Sequence, residues 1–490
     1  MKQNNYVIAL LLILVSSCQF HRPLQQEKMK VPASFSEGQS TTTNDSIYQG
    51  DESGKIQQSE LKSWNVFYRD TLLKNCIDSA LIANYDLRIA YQRLQQSRAG
   101  LVYTRGIRLP DFGINLGTGV RKFGDYSIDG VGNYDTQFSP NLNENQRLPN
   151  PVPDFYAGVY SSWEIDAWGK LKNKKQAALS KYLATEEAQN LITANVVSEI
   201  AQLYYSLMLF DKKIEIIRES ILLQENALLI CEAQKASGKN NELAVEIMQS
   251  EILTLKTMLL EIEQQIIATE NQLNILLGRY PQNILRSNWK PETEMTDTLA
   301  VNIPSEVLLN RPDIREAFHQ LDASKAELVV AKTAFYPTVQ INANMGYQAF
   351  RAALTFRPES IAFNFFGNLV APVLNRRTLK ANLLESNATK AASYLQLEKT
   401  IVSAFTEVYQ LLQVSKRLDQ MERFKTEQVS ILEKSVETSF ALFSSGRATY
   451  LEVINAQQSY LQSQIELLEI ANLKNKNQIL LYKSIGGGWN

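Results

Sequence analysis

The chain has 490 residues, and its 50 basic and 51 acidic side chains leave a formal net charge of −1. Nucleic-acid binding depends on a basic surplus, so this balance argues against that class of function. The two histidines, His21 and His319, stand alone, and the three cysteines are scattered, so no metal-ligand cluster is present in the sequence. We therefore predict no metal site and no bound cofactor.

The N-terminus predicts export from the cytoplasm. Lys2 precedes a short apolar run, as in a secretory signal peptide of residues 1–17, and this run is too short to span a membrane as a helix. The small residues before Cys18 resemble the lipobox of bacterial lipoproteins, which implies a covalent lipid on Cys18. An ordinary signal peptide followed by a chance cysteine is the alternative. Gln19 is not the aspartate that resembles an inner-membrane retention signal, which favours the outer membrane. Residues 18–63 are rich in Gln, Ser and Thr and predict an extended, lipidated linker.

One segment of the chain occurs twice. Residues 86–110 read DLRIAYQRLQQSRAGLVYTRGIRLP, and residues 313–337 read DIREAFHQLDASKAELVVAKTAFYP. The two copies share Asp, Arg, Ala, Leu, Ser and Val at matching places when they are aligned on their final prolines. The separation is far longer than a solenoid repeat, so it predicts duplication of a whole half of the protein. We assign residues 64–300 to the first structural repeat and residues 301–490 to the second.

Each half contains a long helical stretch. No proline occurs between Asp154 and Tyr280 or after Pro372, and such runs favour helix. The apolar residues from Val196 onwards recur in steps of four and three, which predicts a coiled-coil seam. Gly238 and Gly446 interrupt the two stretches, and each is predicted to form a tight turn between antiparallel helices.

Four segments between the helices alternate with a period of two. They lie at about 111–123, 154–166, 338–348 and 360–371, and each predicts a strand with one apolar and one polar face. In a soluble sheet, the apolar face would pack on a core, but the rest of the chain is coiled-coil helix and supplies none. A membrane barrel with its apolar face towards lipid is the better interpretation.

The number of strands implies that several copies assemble. Open sheet edges are not tolerated in the hydrocarbon region, and the smallest bacterial barrels have about eight strands. Four strands per chain must therefore be pooled, and the strand count alone does not choose between two, three or more copies.

Three motifs together resemble one protein family. They are LLNRPDIREAFHQLDASKAELVVAKTAFYPTVQINANMG at 308–346, WEIDAWGK at 163–170 and GRATYLEVINAQQSYL at 446–461. They resemble outer-membrane efflux channels of the TolC and NodT type, and the lipobox points to the lipoprotein branch. The specific parts are structural residues: Arg311, Pro312, Asp313 and Pro337.

The resemblance implies a homotrimer in the bacterial outer membrane. Each copy would give four strands to a twelve-stranded transmembrane β-barrel and its long helices to a periplasmic α-barrel. Such a protein is not an enzyme but a passive exit duct for drugs, toxic compounds or metal ions. An inner-membrane pump would drive transport, and a periplasmic adaptor protein would dock at the hairpin tips, around Gly238, Gly446 and Arg447.

The resemblance also points to a periplasmic gate. Tips of TolC-like channels narrow to acidic residues in a pattern resembling VDVLDA, and the matching stretch here is LEVINA at 451–456. Glu452 keeps the first acid, and Asn455 replaces the second. A ring of one acid per copy would favour cations; the alternative is that Glu452 is an ordinary surface residue.

Other functions fit fewer of these features. An exit duct for secreted polypeptides remains open, because the pump rather than the duct chooses the cargo. A structural coiled-coil lipoprotein without a pore would leave the four strands unexplained, and a surface enzyme would need a catalytic cluster that the sequence does not offer.

Cys76 and Cys231 are predicted to be buried apolar residues, and a disulfide is the alternative.

Overall fold

The computed structural model describes residues 63–289, 305–372 and 375–489. The signal peptide, most of the linker, Cys18 and His21 lie outside these residues. The helices and strands, in chain order, are α1 (Trp64–Phe67), α2 (Thr71–Ala83), α3 (Tyr85–Gly106), β1 (Asp111–Arg121), α4 (Ile128–Phe138), β2 (Val152–Ile165), α5 (Lys170–Ala236), α6 (Glu242–Leu276), α7 (Pro312–Thr333), β3 (Thr338–Ala349), β4 (Ile361–Val370), α8 (Arg376–Ser444) and α9 (Tyr450–Ser484).

The two halves have the same order of elements. Each contains a helix, two strands, a very long helix and a returning helix, and the first half has α1, α2 and α4 in addition. The first helices, α3 and α7, have 22 residues each. The long helices, α5 and α8, have 67 and 69 residues, and the returning helices, α6 and α9, have 35 each. These matched lengths confirm the duplicated fold, and each long helix spans roughly 100 Å at 1.5 Å per residue.

The four strands form one antiparallel sheet in the order β1-β2-β3-β4. Its register keeps the apolar side chains together, because Ile114 lies opposite Val159, Val159 opposite Met345, and Met345 opposite Phe363. We call this side the apolar face and the opposite side the polar face. Because β1 and β4 are the outer strands of this sheet, each has one edge without a strand neighbour in the described part of the chain. The predicted strand bounds differ from those of the structure by at most two residues.

The helices form a layer with two hairpins. Helices α5 and α6 form the first hairpin, α8 and α9 form the second, and the hairpins meet where α5 packs on α9. Closer to the sheet, α3 packs along α5, and α7 lies between α5 and α8. The predicted seam is buried, since Ile200, Leu207 and Ile217 have no exposed surface. Within the described residues, every helix is too short or too polar to cross a membrane.

Polar side chains tie the start of the described chain to α5. Asp70 caps α2 by accepting from the backbone N–H of Leu72 at 2.8 Å, and it also accepts from the Tyr204 hydroxyl at 2.7 Å. That hydroxyl in turn accepts from the backbone N–H of Ser287 at 3.0 Å. Burial and the bond to Asp70 raise the pKa of Tyr204, so the phenol stays protonated and available as a donor. This chain of bonds holds α2 and the segment after α6 against one point on α5.

Arg311 joins three helices at the start of the second half. Its guanidinium donates to both oxygens of Asp313 at 3.0 and 2.8 Å, to Glu407 of α8 at 2.8 Å, and to the carbonyl of Ser484 at 2.8 Å. The last carbonyls of a helix lack partners within the helix, so Arg311 satisfies one at the end of α9. Pro312 is the first residue of α7, where its missing N–H carries no penalty. The motif Arg-Pro-Asp therefore starts α7 and fastens it to α8 and α9.

We expect substitution of Arg311 to destabilise this junction. Arg311→Ala leaves Glu407, Asp313 and a helix-end carbonyl without their buried partner, and should reduce the free energy of unfolding by about 3 kcal/mol. Arg311→Lys should restore only part of this, because an ammonium group cannot bind a carboxylate through two parallel bonds. Thermal unfolding of the protein in detergent, followed by circular dichroism, measures both effects. Arg423→Ala, at an exposed site on α8, is the control; equal stability of Arg311→Ala and Arg423→Ala would contradict this role.

Candidate channel lumen and hairpin tips

The polar face of the sheet carries neutral hydrogen-bonding groups. Tyr160 lies opposite Asn344, and Asn344 lies opposite Asn364, so one row across the sheet is wholly polar and uncharged. Gly113 lies opposite Tyr160, and a side chain on this glycine would collide with the tyrosine ring. The glycine thus allows a large aromatic side chain to lie flat on this face. Such a surface can line an aqueous passage without strongly selecting for charge.

Charged groups on the polar face are confined to its two ends. At the end nearest the helices, Lys170 forms an ion pair with Glu164 at 2.7 Å. At the far end, Gln348 donates to Asp154 at 3.0 Å. The middle of the passage is therefore polar and neutral, and both ends are charged.

The two hairpin turns, at the opposite end of the molecule, have the same geometry. Gly238 and Gly446 have positive φ values of 79° and 73°, which favour glycine. In each turn, the N–H after the glycine donates to a carbonyl five residues earlier, from Lys239 to Gln234 and from Arg447 to Leu442, both at 2.8 Å. This is the Schellman motif of helix ends. The turns lie where the glycines in the sequence predicted them, and Arg447 is exposed on the second turn.

A compact apolar cluster joins the two tips. Phe443, near the end of α8, is only 1% exposed. Gln234 of the first hairpin also donates to the carbonyl of Phe443 at 3.1 Å. We define the tip cluster as the buried apolar residues packed here from both hairpins: Ala227, Cys231, Ala244, Val245, Met248, Phe443, Val453 and Ile454. The sequence interpretation missed Phe443, although it follows the buried Val436 by one seven-residue step.

Glu452 has a structural partner as well as an exposed charge. Its carboxylate accepts from the backbone N–H of Thr449 at 2.6 Å and from the Thr449 hydroxyl at 3.0 Å. The spacing Thr-x-x-Glu is that of a capping box, which starts α9. The bond from the backbone N–H of Thr449, followed by the bond from its hydroxyl, lowers the pKa of Glu452 from the ordinary value of a glutamate. Because Val453 and Ile454 are buried while Glu452 and Asn455 are exposed, the two candidate gate residues share one face of α9.

A shallow groove lies beside Glu452. It has a volume of about 340 Å³ and runs between α8 and the start of α9, with Lys434, Thr438, Leu442 and Ala448 among its lining residues. Its lining combines apolar and hydroxyl side chains with one cation, Lys434, and one anion, Glu452. A helical segment of a partner protein could pack there with both apolar and ionic contacts.

In the described part of the chain, Cys76, Cys231 and His319 belong to no group of three potential metal ligands. Cys231 is buried in the tip cluster, and Cys76 is only half-buried beside the core of α2 and α5, so the prediction of full burial was wrong for Cys76. Both are free thiols, and burial raises the pKa of each. Burial also lowers the pKa of His319. Among the described residues, no three His, Cys, Asp or Glu side chains lie close enough together to hold a metal ion.

A two-faced sheet that continues into helices about 100 Å long, each folded back by a returning helix, defines an outer-membrane channel protein. The family model described as outer membrane efflux protein matches residues 76–279 and 303–487, and the chain belongs to this family. The outer membrane is accordingly its location.

Curated relatives match along almost the whole chain. It is 27% identical over 476 residues to the cation efflux system protein CusC of Escherichia coli K12, covering 97% of both chains. It is 28% identical over 426 residues to the probable outer membrane lipoprotein SilC of Salmonella typhimurium, covering 87% of this chain and 88% of SilC. The solvent efflux pump outer membrane protein SrpC of Pseudomonas putida is 26% identical over 479 residues, which cover 98% of this chain and 97% of SrpC.

The fold also matches a solved structure. A crystal structure of CusC superposes with a TM-score of 0.81 at 26% identity, covering 96% of this chain and 100% of the CusC chain. The family membership confirms the resemblance predicted from the three sequence motifs.

Proposed function

We propose that three copies of this chain form the exit duct of a tripartite efflux system. The observation that carries this proposal is the four-stranded sheet, which has one apolar face, one polar face and two outer edges that lack a strand neighbour in the described part of the chain. Such edges are not tolerated in hydrocarbon, so the sheet must be completed by other copies. Three copies supply twelve strands, enough for a closed barrel whose polar faces line an aqueous lumen.

The helical edges support closure of the same ring. On α6, the exposed aliphatic residues Leu253, Leu260 and Ile267 are spaced by sevens. On α8, Leu395 and Val402 repeat this spacing, and so do Phe424 and Ile431. Seven-residue apolar spacing marks a coiled-coil seam, and these seams face outward from the single copy. Two similar halves in each of three copies give a pseudo-sixfold ring, which suits a closed tunnel.

The cargo is a small molecule or ion, and the duct is passive. The names of the relatives support this breadth, since CusC is a cation efflux protein and SrpC a solvent efflux protein. The neutral polar face of the sheet is consistent with a passage that leaves selection to an inner-membrane pump.

We propose that a periplasmic adaptor docks at the tips, around Gly238, Gly446 and Arg447, in the groove beside Glu452. Cysteine crosslinking in cells from position 447 would test this docking; recovery of no adaptor would oppose it.

We further propose that Cys18 carries the lipid anchor. The lipobox-like sequence before it supports this, and so does the similarity to SilC, a probable outer membrane lipoprotein. Mass spectrometry of the mature N-terminus should find an acylated Cys18, and Cys18→Ala should abolish the modification. An unmodified N-terminus beginning at another residue would refute the assignment.

The gate at the tips gives the sharpest test of the duct. If three copies of Glu452 ring the closed end, their carboxylates attract cations and repel anions. Glu452→Gln removes the charge but keeps an acceptor for the capping box, so cation preference in single-channel recordings should fall. Asn455→Asp should raise it by adding a second acid on the same face. Because the bonds from Thr449 lower the pKa of Glu452, the wild-type preference should persist into mildly acidic solution and be lost only at lower pH.

The control for this test is Thr449→Val. It removes the hydroxyl that caps α9 and leaves the carboxylate in place, so ion preference should not change. Selectivity that is indifferent to both Glu452→Gln and Asn455→Asp would place the constriction elsewhere and leave Glu452 as a helix cap only. A preparation that assembles but conducts no ions would refute the duct itself.

A further inference from the structure

The end of the molecule where helices meet strands carries a dense group of basic side chains. We call it the basic collar, and it consists of exposed or half-buried residues at four helix ends: Arg105 in the last turn of α3 and Arg108 just after it, Lys172, Lys174 and Lys175 on α5, Lys332 on α7, and Arg376, Arg377 and Lys380 on α8. Within the described residues, no carboxylate forms an ion pair with any of them. Of the nearby acids, Glu164 pairs with Lys170, and Asp166 accepts from the backbone N–H groups of Leu171 and Lys172. The collar thus presents a positive surface without an internal counter-charge.

The far end of the strands has no such excess. Its loops, residues 121–154 and 350–360, contain five basic residues (Arg121, Lys122, Arg147, Arg351, Arg357) and six acidic residues (Asp125, Asp129, Asp135, Glu144, Asp154, Glu359). The chain as a whole has a net charge of −1. The positive charge is therefore specific to one end of the sheet and is not a general property of the surface.

Helix electrostatics account for only part of the collar: Arg105 and Lys332 lie in the last turns of α3 and α7, where the macrodipole favours cations, but the basic residues of α5 and α8 lie at helix starts. The N-terminus of a helix is its positive end, so acids are favoured in the first turn and cations oppose the macrodipole. Yet α5 and α8 have no acid in their first turns, and both begin with basic residues. Asp166 offsets part of this at α5, where it accepts from two backbone N–H groups, but the basic side chains at the two helix starts still oppose the macrodipole. A negatively charged partner outside the chain would compensate these charges.

Two tryptophans place the collar at the membrane boundary. Trp163 lies on the apolar face of β2, two steps of two residues beyond Val159, and its indole N–H donates to the carbonyl of Arg108 at 3.1 Å. Trp168 is 48% exposed, stacks on Tyr336 with ring centroids 5.2 Å apart, and donates to the carbonyl of Pro337. Tryptophan and tyrosine gather at the level of lipid headgroups at both ends of membrane barrels. The contact with Trp163 puts the Arg108 end of α3 on the lipid side of the sheet.

A groove just below this boundary could receive one lipid. It has a volume of about 360 Å³ and lies between α3, α5 and α7. Its lining includes apolar side chains, among them Tyr103, Ile107 and Val330, and two lysines, Lys174 and Lys181. Lys181 forms an ion pair with Glu327 at 2.5 Å, whereas Lys174 has no carboxylate partner within the described residues. The groove thus offers apolar surface for a glycerol and acyl stem and an uncompensated ammonium group for a phosphate.

We propose that the basic collar binds the phosphate groups of anionic phospholipids in the periplasmic leaflet of the outer membrane. Clusters of Lys and Arg beside a membrane-embedded segment attract anionic lipid, and guanidinium and ammonium groups form charge-assisted hydrogen bonds with phosphate. The collar adds a charged stop directly below the apolar belt of the barrel. It fixes the depth at which the barrel ends and the helical tunnel begins, which neither the belt nor an N-terminal lipid would determine alone.

The experiment compares two triple variants of the full-length protein in mild detergent. Arg105→Gln, Arg108→Gln and Lys174→Gln together remove three collar charges. Arg121→Gln, Lys122→Gln and Arg351→Gln remove the same charge from the opposite rim and serve as the matched control. Native mass spectrometry then counts the phosphatidylglycerol and phosphatidylcholine molecules that remain bound when each lipid is added at the same concentration. Inorganic phosphate is added in a separate arm, to distinguish lipid from the free ion.

The wild-type protein and the control should retain phosphatidylglycerol in preference to phosphatidylcholine, and the collar variant should lose about tenfold in phosphatidylglycerol binding. Inorganic phosphate should not displace the lipid at equal concentration.

Equal phosphatidylglycerol binding by the collar variant and the control would overturn the proposal, and so would displacement of the lipid by free phosphate at the same concentration. A change in ion selectivity of the collar variant with unchanged lipid binding would also overturn it, because the collar would then face the lumen. Circular dichroism confirms folding, and conductance of the same samples reports separately on the proposed duct.

Discussion

The outer edges of β1 and β4 constrain the rest of the structure. Each edge presents backbone N–H and C=O groups that have no strand neighbour in the described chain, and in hydrocarbon each unsatisfied group costs several kcal/mol. No side-chain arrangement within one copy can satisfy two whole edges. Closure of a barrel by further copies satisfies them, and the heptad-spaced aliphatic residues on the outer sides of α6 and α8 favour the same arrangement in the helices. Assembly therefore follows from backbone hydrogen bonding, and the apolar seams extend it along the tunnel.

Duplication provides the matching surfaces that such a ring needs. Helices α3 and α7 have equal lengths, and so do α6 and α9, so each half offers neighbours of the same dimensions. The halves then diverged at their junctions. In the second half, Arg311 binds the start of α7 to α8 and α9. In the first half, the hydrogen bond between Asp70 and Tyr204 holds α2 against α5. The two halves thus have similar helices, but different side-chain contacts hold those helices together.

Features with a short period could be predicted from the sequence. The alternation in the strands and the steps of three and four in the helices depend on neighbouring residues alone. Gly238 and Gly446 predict the two turns, because each turn needs a residue with a positive φ. Helix α4 was missed, because Gly130 and Gly132 interrupt a short, weakly patterned segment whose start depends on the hydrogen bond between Ser127 and the backbone N–H of Gly130. The tip cluster was missed too, since Phe443 meets residues of the other hairpin about 200 positions earlier in the chain.

Glu452 illustrates the limit of motif reading. The family pattern indicates that Glu452 is a gate residue, whereas its spacing from Thr449 indicates that it caps a helix. The same carboxylate fits both interpretations. The structure shows the cap within a single copy, because that bond is local. The proposed gate requires Glu452 side chains from three copies to meet at a common axis, and that arrangement exists only in the assembly.

The mass of the assembly tests the central claim most directly. Native mass spectrometry of the mature protein in mild detergent should find three chains in one stable particle that retains its β signal in circular dichroism. A monomer or dimer that is stable and keeps the full β signal would show that the edges of β1 and β4 can be satisfied without the trimeric ring, and would contradict the account.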